Sequence, residues 1–399
     1  MKNIIKITIV AGVLILLGVA GLVFFFSRTT PTSTSRTIGG FFGISQNVST
    51  TQPDSGETNG ALNGNPTAQK VFKIADGPIA GAVFYQTGNP TTTIARYVVA
   101  TNGHILDQPI DVPGAAARPA SNTTIPGIVS AAWGRQATST ILQYVDSGVV
   151  KSVSFTFTAT TSTVFVPPRI QFLPNNILSL AISPDSRSVA YLIATNGGSD
   201  GYIADVSGAN PKKLFSVPFS QVLISWPTQS TLLVETKSAV GVPGVAFSVN
   251  SKTGVLVPML YADGLSAIAN STFSKILYQT TANSEIKTYA HDTATGKDTS
   301  LVNNPILEKC AWSTVTNVVL YCAVSLDVTQ NPDLWHQGLL SSQDSIVQYD
   351  SNGGGGSVVT LPGNGGMSGA IEQIGVSPDG AYLWFITRGD QSLWGVRLF

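Results

Sequence analysis

Charge is scarce in this chain of 399 residues: only 11% of its side chains are Asp, Glu, Lys or Arg, against roughly 25% in an ordinary soluble domain. Lys plus Arg and Asp plus Glu balance at 22 each, so the formal net charge is zero. No global field recruits polyanions, and no nucleic-acid partner is expected. Histidine is nearly missing: His104, His291 and His336 stand far apart and share no ligand spacing, which predicts surface or hairpin roles. Catalytic signatures are missing too. There is no Gly-x-Ser-x-Gly elbow, no His-Glu-x-x-His helix and no P-loop lysine. The glycine run 353–356 lacks the strand-to-helix setting of a phosphate loop. Asp292 to Asp298 lacks the closing Glu and alternating acids of a calcium loop, so it reads as a turn. Most acids fall one per hairpin, where turns need them. A hydrolase of the α/β type would need a further domain, and the stretch before Lys70 is too polar to be expected to supply one. The expectation is a non-enzyme with no catalytic residue, no cofactor-binding residue, no metal ligand and no cofactor.

Long apolar runs are absent except for one. Residues 7–26 form an uncharged run of twenty, with Lys2 and Lys6 before it and Arg28 after it. That is the length a helix needs to cross a hydrocarbon core of ~30 Å. A cleaved signal peptide would have a shorter apolar stretch and a small-residue cleavage site; here the run closes on Phe24-Phe25-Phe26-Ser27-Arg28, and no lipid-accepting Cys follows. The expected organisation is a short cytoplasmic N-terminus (1–6), a transmembrane helix (7–26), a disordered Ser/Thr/Pro/Gly-rich linker (27–69) and a folded domain (70–399). The slight positive-inside bias favours a single-pass protein of the cell membrane, cytoplasmic at its N-terminus with its domain outside. A linker of about 40 residues would hold that domain some 35 Å away on average.

What the chain does have is a recurrence. From about residue 79 onward, a short apolar strand ending in a Trp or Ser turn returns about every 42 to 50 residues. Examples are Ala131-Ala132-Trp133-Gly134, Ala181-Ile182-Ser183-Pro184-Asp185, Leu223-Ile224-Ser225-Trp226-Pro227 and Cys310-Ala311-Trp312-Ser313. A second strand follows each, such as Val189 to Ile193 or Tyr382 to Phe385. A third ends in an acid or amide with Gly three or four positions on: Asp205 with Gly208, Asn250 with Gly254, Asp292 with Gly296, Asp350 with Gly353. A side-chain oxygen there satisfies turn N–H groups while Gly takes the strained dihedral. Asn102-Gly103 predicts a two-residue hairpin turn. A strand-built repeat of this length is the signature of a β-propeller. First strands near 79–85, 128–133, 178–183, 221–226, 265–270, 306–312 and 371–377 predict seven blades. Six and eight are the alternatives, because blade two is poorly defined between Ala131 and Pro168. The last blade runs out after three strands, and Val71 to Ile74 is the spare strand to complete it.

Ser183-Pro184-Asp185-Ser186 and Ser377-Pro378-Asp379-Gly380, each between two apolar strands, resemble the turns of WD40-like propeller repeats of the TolB type. The wider pattern includes Arg96-Tyr97-Val98 with Gly103-His104-Ile105, Cys310-Ala311-Trp312-Ser313 with Tyr321-Cys322-Ala323-Val324, and Trp335-His336-Gln337-Gly338. It resembles singly anchored propeller proteins of unassigned activity from small-genome uncultivated bacteria. The resemblance covers the repeat region and the anchor. It implies fold and topology and transfers no catalytic residue.

Two features remain. Cys310 and Cys322 fall on the first and second strands of blade six, across one hairpin, and outside the cytoplasm they would form a disulfide; alternatively they pack as two small buried thiols. Blade six is also overlong, with about 65 residues from Trp312 to the matching turn at Ser377. The excess lies between Ser325 and Ser345 and centres on Asn331-Pro332-Asp333-Leu334-Trp335-His336-Gln337-Gly338. Long connections on rigid scaffolds carry binding surfaces, and aromatics anchor them, so Trp335 and His336 are the candidate partner-binding residues. The rival reading has Trp335 fold back over a blade edge. Trp133, Trp226 and Trp312 are expected to pack between blades. The expected function is a membrane-anchored binding or scaffolding module for a protein, peptide or glycan partner at the cell envelope. The alternatives are a propeller enzyme such as a glycan hydrolase or lyase, and a structural envelope protein.

Overall fold

The computed structural model describes residues 70–88, 91–158, 166–282, 285–325, 332–340 and 342–399. The segments 1–6, 7–26 and 27–69, read above as cytoplasmic end, membrane helix and linker, lie outside the described residues. Among the described residues, no helix is long and apolar enough to cross a membrane.

The described residues form seven antiparallel sheets of four strands each. Their first strands are Ile79–Thr87, Ile128–Trp133, Ile177–Ile182, Val222–Thr228, Ser266–Ala269, Cys310–Trp312 and Ile371–Val376, which define blades one to seven. The first strands of blades one and two, two and three, three and four, six and seven, and seven and one touch each other, which sets them around the ring axis. Blade two is complete, with Ser139–Asp146, Val149–Thr156 and Arg169–Phe172 after its first strand. The fold is an all-β propeller of seven blades.

Burial follows position in the blade. Second strands lie between neighbouring sheets on both faces, so they read as unbroken apolar runs; Val189, Ala190, Tyr191 and Leu192 are all buried. The fourth strand of blade two, Arg169–Phe172, is exposed along its whole length. The core is a series of layers, one at each junction. Leu142 packs with Val98 between blades one and two, and Tyr191 with Ile141 between two and three. Trp226 packs with Phe215 between three and four, and Leu233 with Ile276 between four and five. Val347 packs with Leu277 between five and six, Phe385 with Ile346 between six and seven, and Ile79 with Leu393 between seven and one. This chain of contacts closes on itself.

Closure uses the spare strand. Val71–Ala75 pairs antiparallel with Leu393–Arg397, matching Val71 to Val396 and Phe72 to Gly395, and becomes the outermost strand of blade seven. The pairing covers the edge of Leu393–Arg397, which would otherwise be free to template aggregation. The aromatic of Phe72 meets Tyr382 edge-on, with ring centroids 6.4 Å apart.

Two turns differ from their sequence expectation. Gly103 alone takes positive φ, at 73°; Asn102 instead uses its Oδ1 to accept the His104 N–H, so the hairpin loop is longer than two residues. In blade six, Gly354 rather than Gly353 holds the left-handed position, with φ 70° and its N–H donating to the Asp350 carbonyl at 2.7 Å. The Ser-Pro-Asp turns behave as read: Asp185 and Asp379 accept from the Ser183 and Ser377 hydroxyls at 2.6 Å and from backbone N–H groups two residues on.

In a four-stranded meander, the turns between second and third strands share one end of the blade with the connections to the next blade. The seven blades therefore give the ring an entry face, bearing those connections, and an opposite face bearing the Ser-Pro-Asp turns.

Candidate functional site

The described part of the blade-six excess includes a short helix, Pro332–His336, on the entry face between the second strand Val319–Ser325 and the third strand Asp344–Asp350. Proline suits the first helical position because its missing N–H would have had no partner there. The helix ends at Gly338, φ 73°, with the Leu339 N–H donating back to the Leu334 carbonyl at 2.9 Å. That wrap, with a left-handed glycine one residue before the donor, is a standard way to satisfy last-turn carbonyls. Asp333 spans to blade four, where its carboxylate accepts the Val240 N–H at 3.3 Å.

Trp335 points inward and is 4% exposed, packed with Ile286, Ile306 and Ala370. Its ring carries two cations: the Lys309 ammonium at 4.6 Å and the Arg388 guanidinium at 3.9 Å from the centroid. It therefore covers the seam between the connections of blades five to seven and offers little surface to a partner. The outward positions belong to its neighbours, Leu334 at 40% and Leu339 at 70% exposure. Nothing in the sequence distinguishes Leu339 from any other leucine after a turn.

Under the helix lies a buried ion pair. Lys309 Nζ is 2.5 Å from Asp344 Oδ2, and both side chains are fully buried. Asp344 also accepts from the Ser342 hydroxyl at 3.0 Å and the Ile371 N–H at 2.7 Å. Burial pulls the Lys309 ammonium below its ordinary value, opposed by Asp344 and reinforced by Arg388. Arg388 is different. Among the described residues its guanidinium has no hydrogen-bond or ion-pair partner, and its Nη1 is enclosed without an acceptor.

A second cluster lies toward blade four. His336 Nε2 is 3.3 Å from Glu308 Oε1, each side chain about one-third exposed. The Glu308 contact raises the imidazole above its usual value, with burial opposing. Glu235, buried at 8% exposure, is pushed well above the carboxylate range, first by burial and then by the charge of Glu308. Among the described residues its Oε2 has no hydrogen-bond partner, nor does either amide atom of Gln279 or the hydroxyl of Thr281.

Between the helix segment and blade seven opens a cleft of about 630 Å³, lined among others by Lys73, Gly338, Ser368, Arg388, Asp390 and Trp394. Asp390 is held by the Thr387 and Ser392 hydroxyls and lies 3.8 Å from Lys73. Cys310 and Cys322 lie directly opposite in register and are joined by a disulfide. The three other strand-end tryptophans pack between elements of the ring: the Trp312 indole N–H donates to the Ile268 carbonyl of blade five at 3.2 Å, and Trp133 stacks on Phe157. His104 and His291 stay apart from the site, His104 near Thr124 and His291 near Asp298. Among the described residues no group of three His, Cys, Asp or Glu could hold a metal ion.

No protein-family profile and no curated protein matches this sequence. Solved structures match in shape. The β-propeller domain of Cps50 (Swd1) from Myceliophteria thermophila aligns at a TM-score of 0.54 and 12% identity, over 82% of this chain and 100% of that one. An oligogalacturonate lyase in complex with manganese aligns at 0.52 and 10% identity, over 82% and 99%. TolB from Acinetobacter baumannii aligns at 0.44 and 15% identity over 73% of this chain, which spans 66% of that protein. Likeness at such identity establishes a fold. The protein is a seven-bladed β-propeller.

Proposed function

We propose that this chain is a membrane-anchored binding or scaffolding module, presenting its entry face to a protein, peptide or glycan partner at the cell envelope. The apolar run 7–26 and the polar stretch 27–69 support an anchor and tether. The observation that carries the binding role is the helix of blade six. It is fixed to the connections around it through Asp333, Trp335 and His336, and it turns Leu334 and Leu339 outward beside a cleft. An apolar anchor held on a rigid support loses little entropy on docking. Partner capture by the full chain in membranes, with site-specific crosslinkers at residue 339, tests this. Crosslinks to a defined partner that vanish in Leu339→Asp are expected; turnover of a glycan library without any specific crosslink would overturn it.

The enzyme alternative has one observation in its favour. Burial and the charge of Glu308 push the Glu235 carboxyl well above the carboxylate range, and a carboxyl so shifted is what general acid–base work uses. Turnover abolished by Glu308→Gln would support that alternative.

A further inference from the structure

We infer that the cleft between the blade-six helix and blade seven binds a carboxylate, with Arg388 as its anchor. The inference rests on the entry face being the binding surface and adds the chemistry of a ligand for it.

Arginine carries five N–H donors in a planar fork. In this chain the other cations beside the cleft are matched. Lys309 has Asp344, and Lys73 has Asp76 at 2.7 Å with Asp390 at 3.8 Å. Arg388 has only the face of Trp335, and among the described residues no carboxylate or carbonyl accepts from its guanidinium. A half-buried cation without an acceptor is costly to keep, and stacking on an aromatic fixes the plane of the fork without using its donors. The guanidinium is thus oriented beforehand at the wall of the cleft, with its hydrogen-bonding capacity unspent.

The charge count selects the anion. Lys73 is matched by Asp76 and Asp390, so Arg388 is the one positive charge of the cleft lining in excess of its neighbours, while the Lys309–Asp344 pair behind them cancels. One negative charge neutralises that excess. A phosphate, at nearly two, would leave an uncompensated charge against Asp390. A carboxylate also matches the guanidinium fork in two parallel hydrogen bonds. Trp394, buried with its indole N–H donating to the Ser392 hydroxyl at 2.7 Å and the Lys73 ammonium 5.6 Å over its ring, lines the cleft beside the anchor.

The probe is 4-fluorobenzoate, followed by fluorine NMR line-broadening against the full chain, with neutral 4-fluorobenzamide alongside. The benzoate should broaden and the benzamide should not, and inorganic phosphate at equal concentration should not displace it. Arg388→Gln should weaken binding at least tenfold. Arg187→Gln, which removes the same charge on the opposite face, should leave it unchanged. In unsubstituted protein labelled at indole nitrogen, the benzoate should shift the resonances of Trp335 and Trp394 and leave Trp133 and Trp226 in place, a readout that does not depend on how any variant folds. Failure of the benzoate to bind, equal binding of the benzamide, displacement by phosphate, or indifference to Arg388→Gln would each overturn the assignment. Partner crosslinking at Leu339 is read separately, so loss of one result leaves the other standing.

Discussion

At the scale of single residues, burial decides more than residue type. Lys309 looks unremarkable before Cys310 in the sequence, yet it is fully buried against Asp344. Removing one member of such a pair strands the other charge, at a cost of about 3–5 kcal/mol, whereas replacing both with apolar groups is nearly neutral. Asp344→Asn should therefore lower unfolding free energy by that amount in a denaturant titration, and Lys309→Met with Asp344→Leu should recover most of it. Glu235 tests the same physics through pH. Its folded pKa is raised by burial and by Glu308, so its contribution to stability is whole below the ordinary carboxylate range and is lost as pH rises toward the folded value. Glu235→Gln should be more stable than the parent, with a gap that widens with increasing pH in melts across the acid-to-neutral range. For His336 the folded value is also raised, chiefly by Glu308. Docking of the helix should weaken as pH climbs through that value, and Glu308→Gln should move the imidazole titration down when followed by NMR. Apart from His336, singled out within the long connection of blade six, none of these groups was legible beforehand. A lone Glu after Leu232-Leu233-Val234 or a lone Arg after Thr387 becomes meaningful only once distant loops converge on it.

At the scale of elements, punctuation was the readable part. Ser-Pro-Asp turns and acid-to-glycine spacings located hairpins because side-chain capping and left-handed glycines are local requirements. The exceptions are local as well. In the run 353–356 any glycine could have taken the strained position, and the register of the flanking strands selected Gly354. The long connection of blade six could be placed, but neither its helix nor the direction of its side chains could be read. Trp335 turned inward because an indole between two cations and three apolar neighbours buries more area than one facing water. Cys310 and Cys322 staple the first hairpin of the same blade, at a sequence separation of 12. Closing a loop of that size is worth about 3 kcal/mol in the chain-entropy account. Cys310→Ala with Cys322→Ala should lower stability by about that much, and alkylation followed by mass measurement with and without reductant reports the bond itself.

At the scale of the whole molecule, a repeat of regular period made the ring legible, since each sheet can bury its faces only against two neighbours. The closing strand was legible for the same reason: a last blade short by one strand needs a partner from elsewhere. Lys73 and Trp394, from the two ends of that closure, both reach the cleft. Deleting residues 71–75 should bare the edge of blade seven, and the expected outcome is concentration-dependent aggregation in light scattering together with loss of a single cooperative melt. The pairing also has a mechanical side. Because Val71 sits opposite Val396, with the Arg397 N–H donating to the Lys70 carbonyl at 2.7 Å, the two strands enter and leave the ring side by side. Tension drawn between residue 70 and Phe399 would load those hydrogen bonds one after another, in the manner of a zipper, instead of sharing force among them all. The ring should thus yield at its clasp under modest pull, while the six other blades keep their shape.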